Sequence, residues 1–177
     1  MRLQIADGRW LIGLVIAGFA IGVPLRAETI DRVLAVVSGQ MIMLSDVNAA
    51  RELGLRTAGE PGSPDPIRAM LNALIDRQIV LTEVERYSPA EPAADAIERE
   101  VSRVSGRFAT AEAFKSALSR TGITEKDLRG MLRQDLRIAA YLDQRFAAAQ
   151  VRRQALMDEW LAGLRNRSEI VDLYLTR

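Results

Sequence analysis

The chain contains no histidine and no cysteine, which closes the usual chemical routes first. A serine nucleophile needs a positioned base, most often His, and zinc sites are built on Cys and His. The remaining groups for acid–base work are carboxylate pairs, Glu83 with Glu85 and Glu98 with Glu100. Each pair is two residues apart in a helical pattern, so its side chains do not face one another. Both read as solvated surface charge. No glycine-rich loop is placed to cradle a phosphate: Gly8, Gly13 and Gly18 lie in an apolar N-terminal segment, and the later glycines read as helix ends. The expectation is a binding protein without metal or cofactor, not an enzyme.

The side chains left to do work are apolar and adaptable. Met41 and Met43 alternate in a strand pattern and so share a face. Met70, Met131 and Met157 fall in helical patterns. Flexible thioethers suit contact with varied apolar segments. Met41, Met43, Met70 and Met131, with Phe108, are the candidate binding contacts. Leu71, Leu74, Ile75, Leu132, Leu136 and Trp160 are the candidate core, with Trp160 read as an anchor for the last helix.

The N-terminus sets the compartment. Arg2 and Arg9 precede an uncharged, mostly apolar run from Trp10 to Leu25, and Pro24 and Ala27 mark its exit. That combination reads as a secretory signal peptide over residues 1–27, cut after Ala27. The run of 16 residues falls short of the roughly 20 that span a bilayer; if retained, the leader would make the protein a signal-anchored assembly factor of the inner membrane. Cleavage removes Arg2, Arg9, Arg26 and Asp7, so the net charge passes from +1 to −1. A near-neutral chain lacks the basic excess of a general nucleic-acid binder. Residues 28–177 suit a single domain, with no stable membrane insertion after cleavage.

These residues must be positioned by a mainly helical fold. Ile30–Val37 and Gln40–Leu44 read as strands around a Ser38-Gly39 turn. Ser45 reads as the cap of a helix running to Leu53 and stopped by Gly54. A loop over 57–66 leads to the strongest helix, opened by Asp65-Pro66, with Ile67, Met70, Leu71, Leu74, Ile75, Ile79 and Val84 at helical spacing. Further helices follow over 93–105, from a Thr110 cap to Thr121-Gly122, from a Thr124/Asp127 cap through Leu128–Phe146, and over about 151–165. Residues 169–175 return to strand character. A lone hairpin is not stable, so the two ends of the chain are expected to meet in one small sheet.

Four stretches in this order resemble one family. They are IDRVLAVVSGQMIMLSDV, LNALIDRQIVLTEVER, AFKSALSRTGITEKDLRGMLRQDLRIAAYLDQRF and the end around Trp160 to Leu175. The resemblance is to the N-terminal module of SurA-like periplasmic chaperones and related parvulin-type proteins. It implies a helical chaperone module of about six helices with a small sheet, in which residues 151–175 close back on the N-terminal part. In that family one or more parvulin domains usually lie between the last two helices. Here only Ala147 to Gln150 separates Phe146 from Val151, too little for a domain of roughly 100 residues. Isomerase activity is therefore not carried over. What the resemblance still implies is ATP-free holding of unfolded or partly folded exported and outer-membrane polypeptides in the periplasm. A scaffold or assembly subunit with one permanent partner is the alternative reading, and dimerisation through exchanged helices is compatible with so long-armed a module.

Overall fold

The computed structural model describes residues 31–56, 63–149 and 151–175. The expected leader, its cleavage point and most of the loop over 57–66 lie outside them. Strand β1 (Val33–Val37) turns through Ser38 and Gly39 into β2 (Gln40–Met43). Both turn residues have positive φ, 49° and 82°, the conformation whose twist matches a two-residue hairpin. The final strand β3 (Ile170–Asp172) pairs antiparallel with β1, so the sheet order is β2-β1-β3. The chain ends do meet in one sheet, as expected. A bulge at Leu34 interrupts the β1–β2 register, and the Leu34 carbonyl accepts the Leu173 N–H at 2.9 Å.

Six helices lie between the strands: α1 (Leu44–Glu52), α2 (Pro66–Tyr87), α3 (Ala94–Ser105), α4 (Ala111–Thr121), α5 (Glu125–Arg145) and α6 (Arg153–Arg167). Their starts follow local chemistry. The Asp65 carboxylate accepts the Arg68 N–H at 2.9 Å and Pro66 takes the first position of α2. Thr110 accepts from Ala113, and Thr124 exchanges hydrogen bonds with Asp127. The α1 cap differs from expectation. Met43, not Ser45, precedes the helix, and its N–H is held by Asp46 at 2.8 Å. Ser45 is already helical, and its hydroxyl donates to Asp31. Gly130 and Gly163 lie inside α5 and α6 rather than at helix ends.

The interior is two clusters rather than one. The first joins Leu34, Ala35, Val37 and Ile42 of the sheet to Val47, Leu71, Ile75, Ile79 and Val84, with Tyr141 and Leu164. The second joins Leu53, Val101, Val104, Phe114, Leu118, Leu128 and Leu132. Helix α5 serves both: its first half packs in the second cluster, and its second half, through Ile138, Tyr141 and Leu142, packs on the first. Asp135 stands midway along α5. It accepts from Arg77 of α2 at 2.7 Å and from Arg56 at 2.8 Å.

Two readings of individual residues change. Glu83 is not solvated surface charge: it is 9% exposed, and its nearest cation is Arg86 at 3.4 Å. Helix α2 is enclosed on more than one side at this level, so a carboxylate off its main apolar stripe is still covered. Leu136 is half-buried and joins neither cluster. Tyr141 and Ile138 take the core positions on that part of α5.

The β1–β3 pairing is reinforced from α2. Arg68 reaches Asp172 and, at 3.0 Å, the Tyr174 carbonyl. The Tyr174 hydroxyl donates to the Asp65 carboxylate at 2.9 Å, and the Arg68 guanidinium lies 4.7 Å from the Tyr174 ring centre. Truncation before Ile170 is expected to lower the urea midpoint of the whole first cluster, because β1 would lose one of its two partners; an unchanged midpoint would refute this. Leu71→Ala, at a position with no exposure, should cost about 2–5 kcal/mol in the same measurement.

Candidate functional site

Two concave surfaces carry apolar side chains that the core does not consume. The first is a pocket of about 180 Å3 between β2, α1, α2 and α5. Met41, Ile42, Leu55, Leu74 and Met131 supply its apolar lining. Met41 and Met131 are ninety residues apart in sequence, and the fold brings both to this one opening. The polar side is the Arg56–Asp135–Arg77 network, with Gln134 accepting from Arg77 at 2.9 Å. These arginines are committed to Asp135, so the pocket presents thioether and aliphatic surface over a satisfied ionic base. The pocket also borders an edge strand, since among the described residues β2 pairs only with β1.

Asp46 sits on the wall of this pocket. Burial pushes its carboxyl above the usual aspartate range, the Met43 N–H opposes that shift, and the Asp31 carboxylate adds to it. A folded value above the unfolded one means the native state holds more protons in the window between them. The contribution of Asp46 to stability therefore falls as pH rises through that window.

The second surface is an open trough of about 1120 Å3 along α6 and the end of α5. Phe146, Leu156 and Trp160 form its floor, and Arg145, Arg152 and Arg167 stand around it. Trp160 packs against the first cluster and also faces the trough. Its ring is 6.1 Å from Tyr141 and 5.8 Å from Phe146, centre to centre. The indole N–H is buried without an acceptor among the described residues. Helix α6 is held to α2 by Leu164, its only buried residue, and by Arg165, whose Nε lies 2.7 Å from Asp76 but off the line of a directed hydrogen bond.

The structure separates the other sequence-selected residues. Met70 is 4% exposed and belongs to the first cluster, so its thioether fills interior space and cannot meet a client. Met43 is half-buried beside the α1 cap. Phe108 stacks on Phe114 at 5.5 Å and packs against the second cluster, away from both openings. Leu71, Ile75 and Leu132 are buried, whereas Leu74 is half-buried at the pocket wall. Sequence reasoning missed the trough. The available signal was apolar residues on several faces of the last helix, Leu156, Met157, Trp160, Leu161 and Leu164, more than one contact face needs.

No family model matches the chain. It is 31% identical over 127 residues to Chaperone SurA from Alkalilimnicola ehrlichii, a match covering 63% of this chain and 29% of that protein. The chain thus spans somewhat less than a third of that relative. This similarity supports a relationship to SurA-like chaperones at the family level. No helix among the described residues is long and apolar enough to cross a membrane.

Two substitutions test this description of the pocket. Asp135→Ala leaves Arg77 and Arg56 without their shared carboxylate and should cost about 2–4 kcal/mol in urea unfolding. Asp46→Asn keeps an acceptor for the Met43 N–H but removes the titration. The variant should gain stability relative to wild type as pH rises above the ordinary aspartate range; a difference independent of pH would exclude the assigned burial effect.

Proposed function

We propose that the protein is an ATP-independent periplasmic holdase that binds unfolded exported polypeptides, including outer-membrane proteins, after cleavage of residues 1–27. Residues 28–177 act as one chaperone module. The observation that carries the reading is the convergence of Met41 and Met131 on one apolar pocket beside a strand at the edge of the described sheet. An unfolded client offers what such a site takes. Its backbone can pair along an edge strand, and an apolar side chain can enter the adjoining pocket. Methionine adapts to side chains of different shape, which favours breadth over specificity. Holding then acts by mass action, lowering the concentration of aggregation-prone chains without an energy source. Similarity to Chaperone SurA supports a chaperone role, and Met41, at 63% exposure, is available to a client.

Purified protein should suppress the aggregation of an unfolded outer-membrane protein, followed by light scattering, at near-stoichiometric amounts. Met41→Ser and Met131→Ser should each weaken client binding by roughly tenfold, the effect of losing one buried thioether contact, with little change in thermal unfolding for Met41→Ser. Absence of suppression at large excess of the wild-type protein would overturn the proposal.

A further inference from the structure

The arginines of this chain are mostly spent on carboxylates. Among the described residues, twelve of them form ion pairs with Asp or Glu. Six form none there, Arg32, Arg51, Arg107, Arg145, Arg152 and Arg167, and the last three line the trough between the end of α5 and α6. One carboxylate, Glu159, shares the lining with them. Arg145 is held by aromatic faces instead, 5.1 Å from the Trp160 ring centre and 5.8 Å from that of Phe146. It keeps most of its N–H donors, with one directed at the Tyr141 hydroxyl at 3.3 Å.

The spacing makes this one continuous surface. Leu156, Gly163 and Arg167 recur at intervals of seven and four along α6 and share a face, and Arg152, the residue just before the helix, stands four positions ahead of Leu156. Gly163 adds room, because a side chain there would meet no atom within 4 Å. From Arg152 to Arg167 the face runs about 22 Å at the rise of an α-helix. That matches roughly six or seven residues of extended chain.

We propose that this trough binds extended stretches of unfolded client that carry carboxylates next to large apolar or aromatic side chains. The inference rests on the holdase reading and adds a charge preference to it. A purely apolar stretch could cover Phe146, Leu156 and Trp160, but it would strip water from the surrounding guanidinium groups without compensation. A carboxylate supplies that compensation through charge-assisted, often two-pronged hydrogen bonds. A lysine-bearing stretch meets like charge and is rejected. The trough therefore selects by sign of charge, whereas the pocket between β2 and α5 selects by apolar shape.

The test uses three labelled peptides matched in Phe and Leu, bearing Glu, Gln or Lys at the remaining positions. Fluorescence anisotropy gives their affinities, and Trp160, the sole tryptophan after residue 10, reports on occupancy of the trough. The acidic peptide should bind about tenfold or more tightly than the neutral one, and its advantage should shrink as salt screens the pairing. The double change Arg152→Glu with Arg167→Glu should reverse the order in favour of the lysine peptide. Circular dichroism first confirms that this variant folds; if it does not, Arg152→Gln with Arg167→Gln should abolish the preference without reversing it. Equal affinity for the acidic and neutral peptides would overturn the inference, as would an unaltered preference in a folded variant. Vesicles containing anionic lipid form a further arm, and tight binding to them with no peptide discrimination would also overturn it. Retained suppression of aggregation with no charge preference would remove the trough and leave the holdase reading. Acid-selective binding without suppression would do the opposite.

Discussion

Strand β1 can be satisfied on both sides only if the far end of the chain returns to it. Its partner on one side is β2, two residues away. Its partner on the other side is β3, formed after all six helices. A two-stranded ribbon alone is marginal in water. Adding β3 completes the backbone hydrogen bonds of β1 and gives α2 a sheet wide enough to cover. Loop-closure entropy opposes so distant a contact, and α2 offsets it with three anchors, through Arg68, Asp65 and the ring of Tyr174. Because β3 is tethered, α6 is tethered before it, and the trough along α6 has a defined wall.

The two-cluster interior explains why apolar surface remains for binding. A single cluster at native packing density would bring its lining into contact. Here α1 and α5 bridge two separately packed groups, and the space where they diverge is the pocket between Met41 and Met131. The Arg56–Asp135–Arg77 network occupies the floor of that divergence. It ties α2 and α5 together without filling the gap with side-chain volume. The trough has a related origin. One face of α6 is used against α2, and no described element covers the opposite face, so Leu156 and Trp160 remain open.

The binding surfaces differ in kind, and their chemistry is complementary. The pocket is aliphatic and thioether-rich, with its cations already hydrogen-bonded to Asp135. The trough is aromatic, with its cations unspent. On the proposed holdase reading, two distinct surfaces on one module engage different stretches of the same client, with the gain in apparent affinity that linked sites provide.

Local chemistry in the sequence settled the elements. Asp65-Pro66, Thr110 and the Thr124/Asp127 pair fixed helix starts because caps act over three or four residues. Ser38-Gly39 fixed the hairpin because its turn needs positive φ at two adjacent positions. The need of a lone hairpin for a third strand also made the meeting of the chain ends legible. Tertiary structure alone decided which apolar residues would be spent and which kept. Met70 and Met131 look alike in a helical pattern, yet one is interior and the other lines an opening, because burial depends on what packs opposite each helix face. Glu83 looked solvated and is covered for the same reason. The trough escaped sequence reasoning because it is made where the end of α5 meets α6 and where three of the six unpaired arginines gather, and both are facts about neighbours in space rather than neighbours along the chain.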